Sequence, residues 1–218
     1  MSIIKKIEGG REYRDLQLDA VEDEKIVEGY ATTFDEPYHL YYFENNKGET
    51  KEVLEQVDRN AFKDADLSDV IFQYDHEGRV FARLSNGTME LTEDDHGLKV
   101  RADLGGTEIG RGLYEEIKGG YTNKMSFGFT VADDDMKSIE GGNYLRTIRK
   151  VGKLFDVSAV SYPQNNFTEI SARKHCDGVI AEIEAERLLA EKEAEERKAQ
   201  REALAQRLSD IRGGKHGN

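Results

Sequence analysis

Residues 124–131, KMSFGFTV, alternate large apolar residues with small or polar ones at a period of two. This alternation is typical of a β-strand that places one face in a hydrophobic core. Ser126 falls on the opposite face, where a rigid element would hold its hydroxyl. Gly128, two residues further on, would leave room for another backbone to approach. The core face would carry the apolar members of the stretch: Met125, Phe127, Phe129 and Val131.

Further strands are predicted on both sides of this stretch. Asn86-Gly87 is a two-residue turn signal, and residues 95–97, DHG, stand where the next turn belongs. Thr107 is placed to cap a helix that ends at Gly119-Gly120. Short strands joined by turns predict a mainly β, α+β domain, built as a barrel or a sandwich with surrounding helices. Residues 38–43 are expected to form a loop. The further strands span residues 26–34, 69–74, 80–84, 88–91, 98–104, 144–151 and 154–160.

Composition excludes several classes of function. The 218 residues carry 31 basic and 44 acidic side chains, a net charge of −13, so a role led by nucleic-acid contact is not expected. No apolar run reaches the length of a membrane span, and the first ten residues lack a signal-peptide core. The glycines fit no phosphate-binding loop, and one cysteine excludes an internal disulfide. We therefore expect a soluble cytoplasmic protein without a cofactor, membrane or nucleic-acid partner.

The composition changes near residue 176. Residues 180–212 are rich in Ala, Glu, Lys, Arg and Leu, without Pro or Gly, which predicts a long charged helix. The expected organisation is a domain over residues 1–176 and a helical tail over residues 177–218, a possible assembly or targeting segment. A heptad seam with Ala and Arg at its middle allows weak pairing, and a solvated single helix is the alternative.

No metal site is predicted. The acidic clusters at residues 133–135 and 94–96 offer hard oxygen ligands, but both are expected in solvated turns between strands. His175-Cys176 has no matching Cys or His at ligand spacing, and we do not expect a reactive thiol there.

A nucleophilic Ser126 would need a base and an orienting group. Of the five histidines, His76 is the best placed, because it follows the apolar strand that ends at Tyr74. Asp156 lies inside the apolar run LFDVSAV, where a carboxylate is uncommon unless it is paired. The loop after that run could offer backbone N–H donors, with Gln164 and Asn165 as the candidates for an oxyanion hole.

The sequence also resembles the tailed-phage prohead maturation proteases, serine peptidases of the herpesvirus-assemblin type. The resemblance covers about residues 26–172 and implies a single assemblin-like β-barrel. It implies Ser126 as the nucleophile and His76 as the general base. The third member of such sites is typically Glu or a second His, so both Asp156 and His96 stay open for that role. The motifs that carry the resemblance are EGYA at 28–31, VLE at 53–55, NAF at 60–62, Asp75-His76, GLKV at 97–100, MSFGF at 125–129 and FDVSAV at 155–160 with Pro163.

The resemblance implies a serine endopeptidase that cleaves capsid subunits or scaffolding segments, and itself, during prohead maturation. Its partners would be the major capsid protein, the scaffolding segment and further copies of the chain, inside the assembling prohead in the host cytoplasm. The alternative is a non-catalytic capsid-assembly or scaffolding protein that acts through its C-terminal helix.

Overall fold

The computed structural model describes residues 11–21, 24–161 and 165–213. These residues form two α-helices, α1 (Glu108–Lys118) and α2 (Asn165–Gly213), and a ten-stranded sheet. The strands are β1 (Glu12–Val21), β2 (Ile26–Thr33), β3 (Tyr38–Glu44), β4 (Thr50–Val57), β5 (Ile71–Tyr74), β6 (Glu77–Arg83), β7 (Met89–Glu93), β8 (Gly97–Asp103), β9 (Lys124–Ser138) and β10 (Tyr144–Val160).

The sheet is curled into a half-barrel, with the strand order β3-β4-β10-β9-β1-β2-β8-β7. The prediction of a mainly β, α+β domain is confirmed. The centre of the sheet is the long antiparallel pair of β9 and β10. Along its other edge β10 pairs in parallel with β4 over residues 144–148 and with β5 over residues 156–159. Near its C-terminal end β10 therefore lies between β5 and β9.

The core confirms the period-two prediction for β9. Met125, Phe127, Phe129 and Val131 all belong to the main hydrophobic cluster, and the rings of Phe127 and Phe129 stack at 4.7 Å. Every other strand except β3 also contributes residues to this cluster, as does α1. Ser126 is also buried, at 2% exposure, so β9 is covered on both faces at this point.

The helix predicted after Thr107 is confirmed as α1. The Thr107 hydroxyl oxygen accepts the N–H of Gly110 at 3.0 Å, as expected of an N-cap, and the helix ends at Gly119. Gly120 follows with a φ of +75°, a left-handed conformation that glycine adopts without strain.

Three strands escaped the prediction. The loop predicted at residues 38–43 is wrong: these residues belong to β3, which buries only one of its side chains, so its alternation is weak. β1 and β4 carry charged residues that hide their alternation. Asn86-Gly87 does not join a hairpin: a 3-10 turn over residues 84–86 separates β6, which pairs with β5, from β7, which pairs with β8.

The chain divides into two compact units, Met1–Cys176 and Asp177–Asn218. The first unit holds the sheet, α1 and the beginning of α2. The described part of the second unit is helical and largely exposed, and three of its leucines are more than half exposed: Leu188, Leu189 and Leu204. Within the described residues, no helix is long and apolar enough to cross a membrane.

Candidate active site

His76 sits in a two-residue turn between β5 and β6. Asp75 and His76 both have positive φ, +49° and +59°, as a type I′ hairpin turn requires. This conformation is uncommon for residues other than glycine and persists where the surroundings hold it. The Asp75 N–H donates to the carbonyl of Ala159 at 2.9 Å. The Asp75 carboxylate accepts the N–H and the hydroxyl of Ser161, each at 2.8 Å. The turn is therefore anchored to the end of β10.

Asp156 is buried on β10, at 1% exposure, and meets His76 there. The imidazole Nδ1 of His76 forms a hydrogen bond with Asp156 Oδ2. The hydroxyl of Ser158 donates to the same oxygen at 3.0 Å. The second carboxylate oxygen, Oδ1, lies 3.6 Å from the guanidinium of Arg11. The Asp156 carboxylate, which is uncommon in such an apolar run, is thus paired, because burying an isolated charge is costly.

Ser126 lies on the same face of the sheet as this pair. In the register of β9 and β10, Ser126 stands opposite Ser158, and Gly128 stands opposite Asp156. Directly opposed residues of an antiparallel pair project to the same face, with Cβ atoms about 5 Å apart. Gly128 adds no side chain across from the carboxylate. The fold therefore brings the three residues of the predicted triad to one face.

His96 lies elsewhere. It is exposed in the connection between β7 and β8, and its ring packs edge-on against Tyr30 at 4.5 Å. The predicted turn at residues 95–97 is confirmed there. Two other histidines also have carboxylate partners, His39 with Glu52 and His175 with Asp134. Among the described histidines, only His76 contacts Asp156.

The predicted oxyanion donors are not placed. Gln164 lies outside the described residues, and Asn165 is described only as the first residue of α2. Ser161, which Asp75 binds, is the last residue described before that segment.

Sequence reasoning gave no role to Asp75, Ser158 or Arg11. The sequence could have indicated the contact of Ser158 with Asp156, because residues i and i+2 of a strand share a face and these two residues have that spacing. It could not have indicated the contacts of Asp75 and Arg11, since these depend on the tertiary arrangement of β10.

The prediction of solvated turns at the acidic clusters is wrong for residues 133–135. Asp134 and Asp135 lie inside β9 and are buried. Their charges are paired with Arg146 and Arg149, which offsets the cost of burial. The cluster at residues 94–96 is exposed, as predicted. Within the described residues there is no group of three His, Cys, Asp or Glu side chains suited to a metal ion.

A buried ion cluster surrounds Arg146, which has no exposed side-chain surface. Its guanidinium donates to Glu12, Glu55 and Asp134 at 2.6–3.0 Å. Arg14 binds Glu12 at 2.7 Å and Glu55 at 2.5–2.8 Å. The sequence did not reveal this cluster, because its members come from β1, β4, β9 and β10.

The ion cluster perturbs its titratable groups. Burial alone would raise the pKa of Glu12, but Arg146 and Arg14 lower it to about 2. The pKa of Asp134 is also lowered, because its bonds to His175 and Arg146 outweigh its burial. Burial raises the pKa of the Cys176 thiol to about 12, so this cysteine stays protonated and unreactive near neutral pH.

The chain is similar to a known protein family over most of its length. The family model described as caudovirus prohead serine protease matches residues 14–179, which include β5, β9 and β10. A prohead protease of Enterobacteria phage HK97 is 30% identical over 129 residues, which are 59% of this chain and 56% of that protein. The match thus spans little more than half the length of that curated relative. No solved structure matches the chain. Because the family model covers most of the chain, the protein belongs to the caudovirus prohead serine protease family.

Proposed function

We propose that this chain is a serine endopeptidase of prohead maturation, with Ser126 as nucleophile, His76 as general base and Asp156 as the orienting acid. The observation that carries the proposal is the buried His76–Asp156 pair on the face of the sheet that also bears Ser126. Family membership supports the reaction class. The substrates would be capsid subunits, scaffolding segments and the chain itself, inside the assembling prohead in the host cytoplasm.

In this mechanism Asp156 accepts the Nδ1–H of His76 and leaves Nε2 as the basic nitrogen. Nε2 takes the Ser126 proton while the serine oxygen attacks the scissile carbonyl. The imidazolium then protonates the leaving amine, and an acyl-enzyme remains on Ser126. Water attacks this ester with His76 again as base, which releases the new carboxylate and restores the serine hydroxyl.

Stabilisation of the tetrahedral oxyanion needs N–H donors near Ser126. We assign this role to backbone groups near Gln164 and Asn165. The anchoring of Ser161 by Asp75 supports the assignment, because it ties the chain directly before this segment to the turn that carries the base.

The test is covalent labelling with a fluorophosphonate followed by peptide mass spectrometry, on the full chain and on assembled particles. We expect one adduct per chain, at Ser126, and none in Ser126→Ala. Loss of such a nucleophile costs on the order of 10⁶ in rate, so particles made with Ser126→Ala should keep full-length capsid subunits. Ser68→Ala, which removes an exposed serine, is the matched control. Normal processing by Ser126→Ala particles would favour the non-catalytic assembly protein instead.

A further inference from the structure

Ser158 is a second buried serine at the site, with no exposed surface. Its Oγ lies 3.0 Å from Asp156 Oδ2, the oxygen that also binds His76 Nδ1. An ionised carboxylate only accepts hydrogen bonds, so the Ser158 hydroxyl is the donor. Oδ2 thus receives one bond from the imidazole and one from the serine.

This contact distinguishes the two serines of the site. A nucleophile must give its proton to Nε2, the imidazole nitrogen that faces away from the carboxylate. The Ser158 proton is already donated to the carboxylate, on the Nδ1 side of the ring. Ser126 stands across from Ser158 on the neighbouring strand.

We propose that Ser158 is a positioning residue, which holds the Asp156 carboxylate in the plane needed to orient His76. The terminal torsion of an aspartate is broad. Without the serine, the carboxylate is held only by the imidazole and by the longer contact of Oδ1 with Arg11, so it can rotate and carry the ring with it. The strand fixes Ser158, and its hydroxyl gives Oδ2 a second attachment point. The inference rests on the proposed function and adds a residue to its machinery.

The first test is a double-mutant cycle on the rate of fluorophosphonate labelling of Ser126. Ser158→Ala is nearly isosteric and should fold normally, which thermal unfolding can check. We expect labelling about tenfold slower than in wild type, the order of one hydrogen bond to a charged group. In an Asp156→Asn background the same substitution should change the rate less than about twofold, because the acceptor it positions is already altered.

Ser68→Ala is the matched control, since Ser68 also donates to an aspartate two residues before it, Asp66, at 2.6 Å on an exposed turn. It should label at the wild-type rate. Equal losses from Ser158→Ala in both backgrounds, or no loss in either, would overturn the proposal.

The second test does not depend on activity. The Nδ1 proton of His76 should give a low-field NMR resonance, assigned by its disappearance in His76→Gln. In Ser158→Ala it should move further downfield, because Oδ2 then accepts from the imidazole alone. It should stay in place in Ser68→Ala. If the wild-type protein is not labelled but the resonance moves, the proposed function fails and the positioning contact stands; an unmoved resonance rejects the contact whatever the labelling rates.

Discussion

At the scale of single residues, the partner of His76 decides how the site would work. Sequence alone left Asp156 and His96 open for this role. In the fold, Asp156 binds Nδ1 of the imidazole from a buried position, whereas His96 is exposed and packs on Tyr30. A buried carboxylate bound to Nδ1 fixes the imidazole tautomer and stabilises the imidazolium.

Asp156→Asn should therefore slow hydrolysis of a matched peptide by roughly 10⁴-fold, as in the serine-protease case where tautomer control is lost. His96→Ala should leave the rate near that of the wild type. Steady-state kinetics with both variants checks this, after circular dichroism has shown that each is folded. The reverse ranking, with His96→Ala the more damaged, would assign the third role to His96.

At the scale of elements, the turn between β5 and β6 places the base. Asp75→Ala should lower the free energy of unfolding by about 1–3 kcal/mol, because it removes two hydrogen bonds to Ser161 and strains a left-handed position. It should also slow Ser126 labelling, since the imidazole loses its anchored turn. Asp35, an exposed residue with a φ of +56°, offers the control: Asp35→Ala should reduce stability without changing the labelling rate. Equal labelling in both variants would show that Asp75 does not position His76.

The strands around the site show which features the sequence predicts and which it does not. Period-two patterning gave β9 and its core face, and the apolar run around Asp156 marked a paired carboxylate. Local patterns carry no information on strand order, so they could not show that β10 lies between β5 and β9. The acidic triplet at residues 133–135 resembled a turn because its arginine partners lie on the neighbouring strand β10, 12 and 14 residues further along the chain. The role of Ser158 could not be predicted from the sequence alone, because it depends both on the strand that places Ser158 beside Asp156 and on the side-chain conformation of that aspartate.

At the scale of the whole first unit, the ion cluster at Arg146 couples stability to pH. The folded pKa of Glu12 is about 2, below its usual 4.5, so its contribution is complete above pH 4.5 and is lost as the pH falls toward 2. The depressed pKa of Asp134 acts in the same direction. Urea unfolding between pH 7 and 2 should show a decline that begins below pH 4.5, with up to about 3 kcal/mol from Glu12. Glu12→Gln should be less stable at pH 7 and decline less steeply; a parallel decline would show that Glu12 is not the titrating group.

We propose that the second unit, Asp177–Asn218, recruits the chain to the assembling prohead. Its exposed leucines, Leu188, Leu189 and Leu204, contribute little to folding, since burial is what stabilises an apolar side chain. Exposed leucines on a charged helix offer contact surface to a partner helix or a second copy of the chain. Replacing all three leucines by glutamine, a good helix former, should preserve helicity and Ser126 labelling but reduce the amount of the chain in purified proheads several-fold.

Replacing Glu191, Glu193 and Glu195 by glutamine is the control for altered tail composition and should leave incorporation unchanged. Incorporation is measured by quantitative mass spectrometry of purified proheads. Full incorporation of the leucine variant would show that the tail helix recruits through its charges or not at all. A stop codon after Cys176 would then separate these two cases.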